Sequence, residues 1–313
     1  MHPHSHPHSH AHGHTHAGAA RSARLGRAFA LGIALNLAFV IAEVIGGLLA
    51  NSLALVADAM HNLSDVVGLV LAWGASALAL RPPSARFTYG FRGSTTLAAL
   101  ANAMLLLVVT GGIAWEALHR VKNPGAVNES VMIWVAVAGI FINGVTAWFF
   151  MADRASDLNV RGAYLHMAAD AGVSAGVAIA GAGILFTGWL WLDPAVSLLI
   201  VATIFVGTWG LLRDSVKLAL HAAPASVDPG DVRRYLCGLQ GVAEVHDLHI
   251  WGMSTTETAL TAHLVMPAGH PGDDFFARVV HEIGDRFHIG HVTIQIETGT
   301  SAQPCALAPD HVV

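Results

Sequence analysis

Residues 53–80 read LALVADAMHNLSDVVGLVLAWGASALAL, a run with no Lys or Arg in which only Asp58, His61 and Asp65 can carry charge. Its length exceeds the ~20 residues that cross a ~30 Å hydrocarbon core as a helix. Further apolar stretches lie near 29–50, 95–118, 131–152, 162–186 and 190–212, so six transmembrane helices are expected. The whole chain agrees with that reading. Of its 313 residues 54% are hydrophobic and 12% charged, against roughly 25% charged in an ordinary soluble domain.

Ten of the sixteen Lys and Arg fall on one side of such a bundle: Arg21, Arg24, Arg27, Arg81, Arg86, Arg92, Arg154, Arg161, Arg213 and Lys217. The opposite loops hold only Arg120 and Lys122, so the positive-inside rule puts both termini in the cytoplasm. Asn51-Ser52 almost alone joins the first two spans, which makes them antiparallel neighbours. The net charge of −5 argues against a nucleic-acid partner, and no phosphate-binding loop for a nucleotide is present. Cys237 and Cys305, the only cysteines, cannot build a disulfide scaffold or a four-cysteine zinc module.

Four regions are expected. Residues 1–27 carry eight His at the even positions from 2 to 16 among Pro, Ser, Gly, Ala and Thr; with nothing apolar to bury, this cytoplasmic tract is expected to be disordered and to bind divalent metals loosely. It does not read as a secretory signal, because the apolar run behind it is too long and lacks a small-residue cleavage pattern. Residues 28–212 form the six-helix membrane domain, 213–300 a soluble cytoplasmic domain, and 301–313 a loose tail. Within the third region the period changes from helix (229–239) to strand (244–252, 257–266), back to helix (272–288) and again to strand (291–297). The order αββαβ predicts a three-stranded α+β module of ferredoxin-like type, small enough to need a second copy beside it.

His61 and Asp65 stand four apart on one helix face, with Asp58 on the same stripe. Residues 161–176, RGAYLHMAADAGVSAG, repeat the spacing with His166 and Asp170. Ionisable groups inside a span are costly and normally serve transport or proton relay. One His/Asp pair is as readily an interhelical hydrogen bond, but two pairs facing each other offer two imidazoles and two carboxylates, a donor set suited to tetrahedral Zn²⁺. Asn36, Glu43, Asn102, Asn143 and Ser174 are further polar positions within the spans. Among them Glu43, a lone carboxylate, is a functional candidate or else a hydrogen-bonding contact to the second helix.

Taken together, SLALVADAMHNLSD (52–65), RPPSARFTYGFRGSTTLAAL (81–100), LNVRGAYLHMAAD (158–170), VHDLHIW (245–251) and HVTIQIE (291–297) resemble the cation diffusion facilitator family, specifically its zinc-type bacterial exporters, over about residues 25–298. The resemblance implies a multi-pass protein of the bacterial plasma membrane, a homodimeric secondary transporter and not an enzyme. It would exchange cytoplasmic zinc for protons. It implies His61, Asp65, His166 and Asp170 as the transport site, with His61 in place of Asp favouring Zn²⁺ over Cd²⁺. It further implies His246, His263 and Glu297 as ligands of a structural or regulatory zinc in the cytoplasmic domain, with His291 one residue from another family ligand position.

The sequence departs from that pattern in places. The connection between helices two and three, SARFTYGFRG, lacks the Asp and His that hold a further metal in some members. Gln295 stands where some relatives have a ligating His, and a Cys-rich end is reduced to Cys305. His221 replaces a commonly acidic residue, which removes one partner for a charged lock between the soluble domain and the membrane loop. Competing readings are a broader Co²⁺, Ni²⁺, Fe²⁺ or Cd²⁺ exporter, a membrane metalloenzyme, and a membrane-tethered metal buffer or sensor. Catalytic zinc keeps one position for water, which four protein ligands do not leave open.

Overall fold

The structure is a computed structural model that describes residues 36–152, 158–300 and 305–309. Five helices are long and apolar enough to cross a membrane: α2 (Leu53–Ala79), α3 (Ser94–Lys122), α4 (Glu129–Met151), α5 (Leu158–Thr187) and α6 (Leu192–Ala219). A shorter apolar helix, α1 (Asn36–Ala50), precedes them. The start of the first expected span, residues 29–35, lies outside the described residues, as do the His-rich tract and most of the C-terminal tail. The long helices turn apolar side chains outward, among them Val108, Phe141, Ile179 and Val206. Hydrocarbon is the solvent that suits such faces.

The chain divides into two compact units, and the division cuts across the membrane helices. One comprises the described residues up to 63 together with 112–202. Here the tight α1–α2 turn uses Asn51 in the left-handed conformation (φ 52°), which Asn tolerates better than most residues. The first amides of α2 would be orphaned within the span. Asp193, at the start of α6 and fully buried, accepts from Leu53 N at 2.8 Å, Ala54 N at 3.2 Å and Ser52 Oγ at 2.5 Å. A carboxylate thus caps the positive end of α2 from another helix. Helices α4 and α5 pack side by side; Gly139 allows this, since a Cβ there would stand 2.7 Å from both Ser174 Oγ and Phe39 Cζ.

The second unit comprises 64–111 and the chain from 203 onward. Gly68 of α2 lies against Asn102 of α3, and Ser94 Oγ donates to Ala75 O at 2.8 Å. Beyond α6 come α7 (Pro229–Cys237), β1 (Glu244–Gly252), β2 (Thr258–Val265), α8 (Asp273–Phe287) and β3 (His291–Glu297). Asp228 caps α7 by accepting from Gly230 N, with Pro229 at the first helical position. The sheet order is β1-β2-β3, antiparallel and then parallel, with α8 supplying the crossover that a parallel pair needs. Alternation along the strands gives it one apolar face. Val245, Ile250, Leu260, Ala262 and Leu264 share a core with Val232 and Leu236 of α7 and Phe275, Val279 and Ile283 of α8. The other face carries the polar residues of the three strands.

Candidate metal sites

In the first unit, the one-turn repeat of an α-helix stacks His166 and Asp170 on α5, with His166 Nε2 3.6 Å from Asp170 Oδ2. His61 of α2 comes to the same place, its ring centroid 6.2 Å from that of His166 at 80° between planes. Asp170 is 3% exposed, while His166 keeps an open side chain. Asp65 follows His61 by four residues on α2 and is half-buried. Three of the four residues expected at the transport site are therefore gathered within one unit. The donor set is imidazole nitrogen and carboxylate oxygen, a combination that Zn²⁺ accepts.

Beside this group lies a second buried polar cluster. Asn62 Nδ2 donates to Glu43 Oε2 at 3.2 Å, and Ser174 Oγ donates to Asp58 Oδ2 at 3.2 Å. Glu43 contacts the second helix through a hydrogen bond, one of the two roles its position suggested. Asn36 donates to Met167 Sδ at 3.2 Å, and Asn143 is fully buried on α4.

In the second unit, antiparallel register sets His246 directly opposite His263, with ring centroids 5.3 Å apart. Glu297, at the end of β3, puts Oε1 2.9 Å from His263 Nδ1 and 3.4 Å from His246 Nε2. Cys305 Sγ lies 3.7 Å from His263 Nδ1. One ligand atom from each of these four residues falls within 4.8 Å of the other three. Tetrahedral zinc with bonds of ~2.0–2.3 Å spaces its ligand atoms ~3.3–3.8 Å apart, so a modest contraction closes the site. His246 is 3% exposed, yet neither ring nitrogen makes a hydrogen bond. A buried imidazole facing a carboxylate and a thiol without a bond of its own suits a cation ligand.

Glu297 titrates below the ordinary carboxylate range. Partial burial pushes it upward, but the hydrogen bond from the Cys305 thiol and the His246 and His263 rings outweigh that effect. The Cys305 thiol is correspondingly raised: a backbone hydrogen bond at Leu307 favours the thiolate, and desolvation with the Glu297 charge overcomes it. Gln295 donates to Glu297 Oε1 at 3.3 Å. It therefore orients the Glu297 carboxylate and offers no imidazole donor of its own.

Two participants escaped the sequence reading. Cys305 lies in a tail with no periodicity to place it. Asp247 sits in a β-bulge with φ 49°, where the register slips between His246 and His249. The bulge turns its carboxylate to within 3.4 Å of His263 Nε2 and 2.8 Å of His249 Nε2. His291 opens β3 away from this group, with its ring 5.6 Å from Tyr89. A charged lock also exists without residue 221: Arg92, in the α2–α3 connection, pairs with Glu257 of the β1–β2 turn, and Thr255 N donates to Thr95 Oγ1 at 3.1 Å.

Imidazole and carboxylate pairs inside apolar spans, joined to an α+β domain with a second donor cluster, define a multi-pass membrane protein that handles divalent metal ions. Residues 29–218 match the cation efflux transmembrane domain, and residues 224–299 match the cytoplasmic domain of cation efflux proteins. The chain belongs to the cation efflux, or cation diffusion facilitator, family. It is similar to the metal cation efflux system protein CzcD of Cupriavidus metallidurans, with 39% identity over 82% of each chain. It is also similar to the zinc transporter ZitB of Escherichia coli, 38% identical over 83% of this chain and 82% of the relative. A cadmium, cobalt and zinc/H(+)-K(+) antiporter of Bacillus subtilis is 34% identical over 81% of this chain and 83% of that one. The function is metal cation efflux by a transporter, not catalysis.

Proposed function

We propose that the protein exports Zn²⁺ from the cytoplasm in exchange for protons, as a homodimer in the bacterial plasma membrane with both termini cytoplasmic. His61, Asp65, His166 and Asp170 bind the travelling ion. The observation that carries this reading is the approach of His61 to His166, which itself lies 3.6 Å from Asp170, inside apolar helices. To bind zinc the imidazoles must be neutral and the carboxylates ionised, so metal arrival expels protons and protonation expels metal. An imidazole with an unperturbed value near ~6.5 responds over the pH range between a neutral cytoplasm and a more acidic exterior. His246, His263, Glu297 and Cys305 would hold a resident zinc that reports cytoplasmic metal to the membrane part. The membrane domain spans residues 28–212 and the cytoplasmic domain 213–300.

The names of the relatives range from zinc alone to cadmium, cobalt and zinc, so selectivity is the finer question. His61 is the residue expected to answer it. Asp170→Ala and Asp65→Ala should reduce zinc flux in proteoliposomes to background while each variant still inserts and dimerises. His61→Asp should add Cd²⁺ to the transported ions in a competition assay. Wild-type flux in either Ala variant would remove the tetrad, and an unchanged metal preference would remove His61 as the selector.

A further inference from the structure

Glu43 on α1 and Asp58 on α2 are 0% and 1% exposed. Each has one oxygen satisfied by a neutral donor, Asn62 for Glu43 and Ser174 for Asp58. The remaining oxygens, Glu43 Oε1 and Asp58 Oδ1, receive no hydrogen bond from any other group among the described residues. The two carboxyls are themselves within hydrogen-bonding reach of one another. As two buried anions within reach of each other, each with an oxygen left without a donor, they would repel. A single proton between them satisfies both, as in other buried carboxyl dyads.

Lysine and arginine are absent from residues 36–63, 129–151 and 162–202, which hold both carboxyls and their donors Asn62 and Ser174. The ionisable groups of the packed elements are few. Apart from Glu43 and Asp58 themselves, α2 carries His61 and Asp65, and α5 carries Arg161, Tyr164, His166 and Asp170, with Arg161 more than three turns before Ser174. Helix α4 has only Glu129 at its far start, the nearby part of α6 has only Asp193, already committed to the start of α2, and residues 112–122 of α3 carry Glu116, His119, Arg120 and Lys122 at the Asn51 end. The dyad adjoins the His61, His166 and Asp170 group along both helices, because Asp58 lies three residues before His61, Asn62 lies next to His61, and Ser174 lies one turn beyond Asp170.

We propose that Glu43 and Asp58 form a one-proton carboxyl dyad, distinct from the metal ligands, whose proton is given up when metal occupies the neighbouring site and regained when it leaves. The proposal rests on the proton-exchange reading above. Binding a dication beside the dyad lowers the cost of its second negative charge, and losing the ion restores that cost. The dyad therefore adds a proton to the exchange without adding a ligand to the metal. One O–H bond breaks on metal arrival, the proton leaves to water, and the same bond reforms on release.

The test is difference infrared spectroscopy on the full-length protein in lipid, with and without Zn²⁺. The wild type should display the C=O stretch of a protonated, water-excluded carboxyl, and zinc should diminish it. Glu43→Gln and Asp58→Asn should each abolish that band, because the new amide donates in the proton's place and leaves the remaining carboxyl ionised. Protons released per zinc bound, counted with a pH dye, should then fall in both variants by up to one per protomer. Absence of the band in the wild type, its survival in both variants, or its indifference to zinc would each overturn the dyad. Zinc flux without proton movement would instead sink the exchange reading while leaving the band in place, so the two failures are separable.

Discussion

Glu297 holds the cytoplasmic cluster together, since its Oε1 meets His246, His263 and Gln295 at 2.9–3.4 Å. Its carboxyl titrates lower in the folded chain than in the unfolded one, so its ionised form contributes stability above the ordinary carboxylate range near ~4.3. That contribution disappears as pH falls through the lowered folded value. Metal-free full-length protein should therefore lose hydrogen-exchange protection along β3 between mildly acidic and strongly acidic pH. Glu297→Gln should start from lower protection at neutral pH and change less across that window. Parallel curves for the two proteins would mean that the carboxylate is not stabilised by its neighbours. At this scale the sequence was informative wherever a regular element repeats a residue type. His61 with Asp65, and His166 with Asp170, were legible because a helix fixes what four residues apart means. Asp247 was not, because its orientation depends on a left-handed bulge that no local turn residue announces.

Among the elements, α2 depends on a partner far along the chain. Asp193 satisfies its first amides and the Ser52 hydroxyl from inside the packed helices, at 2.5–3.2 Å. Asp193→Ala should destabilise the folded protein by roughly 1–3 kcal/mol, combining a lost cap with unpaired buried amides. Asp193→Asn should recover part of it, since the amide oxygen still accepts. Thermal melts of the purified protein measure both; an Ala variant as stable as the wild type would make the cap ornamental. Element boundaries were largely readable: the strands expected at 244–252 and 291–297 are those observed, since alternation of one buried face is a strong signal. The pairing of Glu43 with Asp58 and the capping of α2 by Asp193 were not. Both join residues on different helices, and a single sequence holds no record of which helix faces meet.

At the scale of the molecule, the chain combines membrane helices that carry paired imidazole and carboxylate groups with a cytoplasmic domain whose own four donors gather within 4.8 Å. The β1–β2 turn touches the α2–α3 connection through Glu257 with Arg92 and Thr255 with Thr95. Exposed ion pairs of this kind stabilise little by themselves, so their value lies in fixing register between the turn and the membrane loop. Efflux against a gradient needs an energy source, and in the proposed exchange protons supply it through groups whose metal affinity falls when they are protonated. The most direct measurement is simultaneous recording of zinc and pH inside proteoliposomes carrying the full-length protein, with a proton gradient imposed at the start. Zinc should accumulate only when the lumen is the more acidic side, the lumen should become alkaline in step with zinc arrival, and a protonophore should stop both. Zinc accumulation of the same extent without a gradient, or without any luminal pH change, would contradict proton-driven export.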